Sequence, residues 1–197
     1  GWIDATANWS IPINFIDGSS NDLGVRLIDF NGDGRVDILV ARKPSTKNAY
    51  VNNGSGWGSI SGWDTPEFFV ESDYKDIGIR ELDVNNDGLI DFIKGGLPGN
   101  AWLNNGSGWT NYTQYAPNIT FVEYPDRPDL GVRFMDLNGD GLEDILQNFF
   151  SNVSVLNQTC YDQTNSTQNC TSYNVTFGTN TKINNGLRFG NSSFKKV

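Results

Sequence analysis

The apolar positions of the chain fall in short runs, each cut by glycine, asparagine or aspartate before a third helical turn could form. Val25 and Leu27 alternate with polar positions, as do Val36, Ile38 and Val40, and Ile79 and Leu82 less cleanly. Such period-two spacing marks strands, because successive side chains of an extended chain point to opposite faces. The runs return at near-regular intervals, which predicts an all-β fold built from repeated units.

Aligned against itself, the chain shows GVRLIDFNGDGRVDIL at 24–39, GIRELDVNNDGLIDFI at 78–93 and GVRFMDLNGDGLEDIL at 131–146. A second motif follows each block: YVNNGSGW at 50–57, WLNNGSGW at 102–109 and a decayed KINNGLRF at 182–189. Cutting at the Gly-Trp step gives units at 1–55, 56–107 and 108–187, with a tail or the start of a further unit at 188–197. The third unit carries an excursion at about 150–181. Four short strands per unit predict repeated four-stranded antiparallel blades of β-propeller type, whose faces need neighbouring blades for burial. Three blades fall short of a ring, so the chain is expected to be part of a larger propeller or to be completed by assembly with other chains.

Each block contains the pattern D-x-N-x-D-G-x-x-D. Its side chains are Asp29, Asn31, Asp33 and Asp37; Asp83, Asn85, Asp87 and Asp91; and Asp136, Asn138, Asp140 and Asp144. A turn that gathers positions one, three, five and nine, with a backbone carbonyl at position seven (Arg35, Leu89, Leu142), offers an oxygen cage for a hard cation. Calcium suits such a cage better than magnesium, which prefers a tighter octahedron, and softer metals would want imidazole or thiolate. About three calcium ions, one per repeat, are expected. Gly34, Gly88 and Gly141 stand at position six, where a sharp turn favours positive φ. The loops are not EF-hands, since position twelve holds Val40, Lys94 and Gln147 instead of a bidentate glutamate. An Asx-rich turn without metal is the alternative for a single copy, but three copies in register concentrate carboxylates that repel one another when empty.

The repeated D-x-N-x-D-G-x-x-D loops followed by NNGSGW resemble FG-GAP/VCBS-type repeats, the blades of integrin-alpha-like propellers, some fungal lectins and bacterial surface or toxin-associated proteins. The resemblance covers about 1–149 and resumes near 182–189. It implies that the loops lie between adjacent strands and hold calcium for structure, through the residues named above. Adhesive, lectin-like and purely architectural members all occur in that family.

Composition narrows the function. The 197 residues carry a formal charge of −9, which opposes binding to nucleic acid, and contain no histidine, which removes the commonest general base near neutral pH. No run of apolar residues is long enough for a membrane span. Glu67, Glu71, Asp73, Glu123 and Asp126 stand outside the loops and read as solvated surface groups, so no enzyme is expected. Eleven asparagines begin N-x-Ser/Thr: Asn8, Asn53, Asn105, Asn111, Asn118, Asn152, Asn157, Asn165, Asn169, Asn174 and Asn191. Their clustering predicts N-linked glycans on a secreted or cell-surface protein. Within the cluster, Cys160 and Cys170 are expected to close a small loop as a disulfide in that oxidising compartment.

These features predict a calcium-stabilised, N-glycosylated extracellular structural or adhesive module. Its expected partners are a second protein or further copies of itself. The alternative is a carbohydrate-binding module that uses the recurrent aromatics Trp2, Trp9, Trp57, Trp63, Trp109 and Tyr115, which otherwise serve packing between blades.

Overall fold

In a computed structural model of the protein, the backbone is described for residues 1–6, 9–153, 159–161, 167–169, 174–184 and 189–190, and the side chains as far as residue 147. Strands β1 (Val25–Ile28), β2 (Asp37–Arg42), β3 (Thr46–Asn52) and β4 (Trp57–Ile60) form one sheet in that order. A second sheet repeats the arrangement with β5 (Ile79–Leu82), β6 (Asp91–Lys94), β7 (Asn100–Asn104) and β8 (Trp109–Asn111). A third contains β9 (Val132–Met135), β10 (Asp144–Val153), β13 (Asn174–Asn184) and β14 (Phe189–Gly190). Every pairing within these sheets is antiparallel between neighbours in the chain or across the excursion, so each is an up-and-down blade of the expected type.

The decayed motif at 182–189 still closes its blade. Asn184 pairs with Phe189 in the register of Asn52 with Trp57 and Asn104 with Trp109. The excursion grows directly out of this blade: β10 and β13 stay paired from Ile145 opposite Lys182 to Val153 opposite Asn174. Beyond them, β11 (Thr159–Tyr161) and β12 (Thr167–Asn169) form a separate hairpin.

The disulfide expected between Cys160 and Cys170 is corrected here. No disulfide occurs among the described residues, and the hairpin is held by backbone pairing that sets Cys160 opposite Gln168. Cys170 lies outside the described residues. Hydrogen bonds between β11 and β12 therefore supply the closure that the sequence suggested a cystine would provide.

The alternation seen in the sequence is only half of the burial pattern. Ile38, Leu39, Val40 and Ala41 of β2 are all buried, as are Phe92 and Ile93 of β6. A central strand becomes apolar on both faces when each face of its sheet is covered. The covering comes from the next repeat. One apolar cluster joins Phe30, Leu39, Ala41 and Ala49 to Trp63, Phe69, Val70, Ile77, Ile79 and Phe92. The other joins Leu82, Val84, Ile93 and Ala101 to Tyr115, Ile119, Phe121, Val132 and Ile145. Both cores thus lie between repeats, and each repeat depends on its neighbour for stability.

Gly95 shows how close this packing is. A Cβ added there would lie 2.6 Å from both the backbone nitrogen and Cδ1 of the buried Phe121, with its Cγ closer still. Gly95→Ala is expected to destabilise the protein by about 1–3 kcal/mol, since neither the ring nor the backbone beneath it can withdraw without strain. Gly58→Ala meets nothing within 4 Å and is the control in the same urea titration.

Candidate functional site

The three acidic loops join β1 to β2, β5 to β6 and β9 to β10, and they share one hydrogen-bond ladder. In the first, Asp29 Oδ1 accepts the Gly32 and Asp33 N–H groups at 2.8 and 3.2 Å, and Oδ2 accepts Gly34 N–H at 2.6 Å. Asn31 Oδ1 accepts Asp33 N–H, and Asp33 Oδ1 accepts Arg35 N–H. In the second loop Asp83, Asn85 and Asp87 likewise accept from the N–H groups of Asp87, Gly88 and Leu89. Asp136, Asn138 and Asp140 repeat the contacts of the first loop in the third. Gly34, Gly88 and Gly141 have φ of +82°, +87° and +85°, the left-handed conformation that turns the chain back on itself. Positions one, three and five therefore face the same loop backbone.

Position nine plays a different part. Asp37, Asp91 and Asp144 are fully buried at the starts of β2, β6 and β10. Asp91 Oδ2 accepts Val84 N–H at 3.0 Å from within the loop, and Oδ1 accepts Asn104 N–H at 2.7 Å from the end of β7. Asp37 Oδ1 accepts Asn52 N–H at 2.7 Å in the same way, and Asp144 Oδ2 accepts Leu137 N–H at 3.0 Å. This carboxylate pins the acidic loop to the first asparagine of the NNGSGW motif. That asparagine starts the next turn, where Gly54 N–H and Gly106 N–H bond to Asn52 Oδ1 and Asn104 Oδ1. Asn104 also reaches the preceding repeat, donating from Nδ2 to the Phe30 carbonyl at 2.7 Å. The two repeated motifs form one hydrogen-bonded joint, kept although the paired residues stand 15 positions apart in the first repeat and 13 in the second.

Burial dominates the electrostatics of position nine. It pushes the Asp91 carboxyl up to about 7 against the two backbone hydrogen bonds, and the Asp87 and Asp83 charges add to the rise. The Asp37 carboxyl is raised for the same reason, with Asp33 and Asp29 contributing. Its second oxygen, Oδ2, is buried without a well-formed hydrogen bond although Phe30 N–H faces it. Asp136 is instead held below the usual carboxylate range, chiefly by Gly141 N–H. Buried or clustered carboxylates with an unsatisfied oxygen fit the requirements of a hard cation. The outer acids are turned aside in this arrangement. Arg35 Nη2 bonds Asp33 Oδ2 at 2.6 Å, and Asn85 and Asn138 donate to Asp87 and Asp140 Oδ2 at 2.9 Å. Among the described residues no three acidic, histidine or cysteine groups are already gathered into one metal-holding set.

A further repeated unit escaped the sequence comparison because it begins two residues before the aligned blocks. It reads D-x-G-x-R: Asp22, Gly24, Arg26; Asp76, Gly78, Arg80; and Asp129, Gly131, Arg133. Each aspartate accepts the glycine N–H at 2.7–2.8 Å and binds the arginine side chain. Arg26 then crosses to the next repeat, 5.1 Å above the Phe69 ring and 3.2 Å from Glu81. Arg80 lies 5.9 Å above Phe121.

Of the acids outside the loops, Asp73, Glu123 and Asp126 are exposed as the sequence suggested, whereas Glu67 and Glu71 are partly buried. Glu71 receives Lys43 and Arg127, each at 2.9 Å, and so ties segments of all three repeats. Glu67 pairs with Lys94 at 2.9 Å, while Asp73 and Asp126 flank Lys75. The recurrent aromatics pack on one another. Trp63 sits 4.7 Å from Phe30 and 5.8 Å from Trp109, Trp109 sits 4.3 Å from Phe92, and Trp9 sits 5.3 Å from Trp57. Tyr115 is buried, whereas Trp2 is fully exposed. Among the sequons, Asn53, Asn105, Asn111 and Asn118 occupy exposed positions. Asn8, Asn152, Asn157, Asn165, Asn169, Asn174 and Asn191 lie outside the residues whose side chains are described.

Comparison with known proteins supports the repeat assignment. No curated protein matches the chain. Two solved structures match it at low identity. One is the Photorhabdus luminescens Tc holotoxin pore, with 16% identity, a TM-score of 0.46, and coverage of 71% of this chain and 6% of that one. The other is an Agrocybe aegerita lectin that recognises non-reducing terminal N-acetylglucosamine, with 19% identity, a TM-score of 0.48, and coverage of 84% of this chain and 36% of that one. The chain therefore spans well under two thirds of the length of either. A family model for FG-GAP-like repeats matches residues 29–93 and 83–146, ranges that run from one acidic loop through the next. Together with the three blades and their shared loop ladder, this match shows that the chain belongs to the FG-GAP-like repeat family.

Proposed function

We propose that this chain is a calcium-stabilised, N-glycosylated extracellular module with a structural or adhesive role, divided into units at 1–55, 56–107 and 108–187. FG-GAP-like repeats are in general structural or adhesive extracellular modules, and no helix among the described residues is long and apolar enough to cross a membrane. The observation that carries the reading is the buried carboxylate at position nine. At Asp37 one oxygen holds the neighbouring strand while the other lacks a proper hydrogen bond. A calcium ion held by Asp29, Asn31, Asp33, Asp37 and the Arg35 carbonyl satisfies that oxygen and cancels the repulsion among the acids. The corresponding residues are Asp83, Asn85, Asp87, Asp91 and Leu89 in the second loop, and Asp136, Asn138, Asp140, Asp144 and Leu142 in the third. The role is stiffening, because the same carboxylate holds the loop and the NNGSGW turn together.

Calcium that binds the native loops more tightly than the unfolded chain raises stability by linkage, about 2.7 kcal/mol per site at a hundredfold excess over Kd. Chelation with EGTA is expected to lower the melting temperature by several degrees, and added calcium to restore it. An unchanged melting curve after calcium has been stripped, verified by elemental analysis, defeats the calcium reading. Removal of N-glycans by glycosidase from protein secreted by eukaryotic cells is expected to increase gel mobility in several steps.

A further inference from the structure

The three acidic loops differ in charge at position seven, the one that offers a backbone carbonyl. It is Arg35 in the first loop, but Leu89 and Leu142 in the second and third. Arg35 takes both oxygens of the outer acid Asp33: its backbone N–H donates to Oδ1 at 2.9 Å and its Nη2 to Oδ2 at 2.6 Å. The guanidinium is fixed on its other side as well, since Nε donates to the Asn52 carbonyl at 2.8 Å. Asn52 is the residue that Asp37 pins, so Arg35 adds a second link between the first loop and the NNGSGW turn.

In the other two loops the same acid meets a neutral partner. Asp87 Oδ2 accepts from Asn85 Nδ2, and Asp140 Oδ2 from Asn138 Nδ2, each at 2.9 Å. Neither loop contains a lysine or an arginine between positions one and nine. The first loop thus sets three aspartates against one arginine, the second has three aspartates alone, and the third adds Glu143 to its three.

We infer that Arg35 is a built-in counter-cation of the first loop, which therefore binds calcium more weakly than the other two and is the loop whose occupancy follows the calcium concentration. The inference rests on the calcium reading above. A divalent ion entering this loop either meets the guanidinium on an acid it needs or has to break two charge-assisted or carbonyl bonds to move it aside. Affinity falls in both cases, by about tenfold for one unit charge this close in a water-exposed loop. The exchange is easier in the second and third loops, because Asn85 and Asn138 stand at position three of the same cage and bring no charge. Without calcium the sign reverses. Arg35 then offsets the repulsion among Asp29, Asp33 and Asp37 and keeps the loop tied to Asn52, so the first loop depends least on the metal for its stability.

Isothermal titration calorimetry of the calcium-stripped chain with calcium chloride tests this. Wild type is expected to show one site about tenfold weaker than the next. Arg35→Leu, which gives the first loop the residue of the other two, is expected to bring that site level with them. Arg35→Lys, which keeps the charge, is expected to leave it weak. Arg35→Leu is also expected to melt below wild type in EGTA but not in saturating calcium, a reversal that lost packing alone would not produce. Three equal sites in wild type, or a weak site that stays weak in Arg35→Leu, overturns the inference. Where Arg35→Leu fails to melt cooperatively, Arg35→Gln takes its place in both measurements. Failure of the calcium reading has its own signature, no heat of calcium binding and a melting temperature indifferent to EGTA, and overturns this inference with it.

Discussion

Asp91→Ala is expected to lower the stability of the protein by about 3–5 kcal/mol, because it strands two buried backbone donors at once. Val84 N–H and Asn104 N–H both end on this carboxylate, and both residues are buried, so water cannot take its place. Each unsatisfied donor costs about 1–3 kcal/mol. The loss also frees the β7–β8 turn from the acidic loop, and with it the Asn104 bond to Phe30 that crosses between repeats. Asp91→Asn separates hydrogen bonding from charge. In calcium-free protein it is expected to cost only about 1 kcal/mol, since the amide keeps one acceptor and escapes the desolvation that pushes the Asp91 carboxyl to about 7. With calcium both variants are expected to lose the linkage stabilisation in addition, because neither supplies the charged ligand, and to keep the same order. Urea titrations of both variants, with calcium and with EGTA, check the order. Equal losses for alanine and asparagine in EGTA would show that the carboxylate is not the pin described.

Phe121→Ala is expected to cost about 3–5 kcal/mol and to change the form of the unfolding transition. The ring is fully buried against Gly95, stands 5.5 Å from Phe134 at 79° and carries Arg80 above it. No small movement can refill such a site, since the glycine beneath it offers no side chain and the arginine is anchored to Asp76. Phe121 belongs to the cluster between the second and third repeats, so its loss uncouples the third repeat from the other two. Unfolding is then expected to lose cooperativity, with a smaller denaturant m-value or two separate transitions. Phe69→Ala is expected to act likewise at the first joint, where Phe69 is buried 5.4 Å from Phe92 with Arg26 over its ring. A single transition of unchanged slope for both variants would mean that the repeats are not coupled through these rings.

Much of this was legible in the chain. The self-similar blocks marked three blades, and the structure shows three four-stranded antiparallel sheets at those places. The glycines at position six of each loop were read as turn residues and do adopt positive φ. Other features were hidden for identifiable reasons. Alternation along Val36, Ile38 and Val40 suggested one buried face, but Leu39 and Ala41 are buried as well, because the second face is covered by a repeat distant in sequence. Glu71 looked like a solvated acid, since nothing local reveals that Lys43 and Arg127 converge on it. The cysteine pair suggested covalent closure, whereas the ends of that hairpin meet through backbone pairing. The D-x-G-x-R unit was repeated in plain view, but its role requires knowing which ring lies in the next blade.

The sequence by itself determined the repeating elements of this protein: where the strand-forming blocks recur, where the turns fall, and which Asp and Asn residues belong to each acidic loop. These are local properties, set by period-two alternation, by glycine's tolerance of positive φ and by short Asx hydrogen bonds, all within a few residues. Only the tertiary structure decided which of those residues are shared between repeats. It made the last aspartate of each loop a buried pin and turned Trp57, Trp63 and Trp109 into packing between blades. Burial is a property of what lies across a face, and a one-dimensional pattern records only that a face is apolar, not which distant segment covers it.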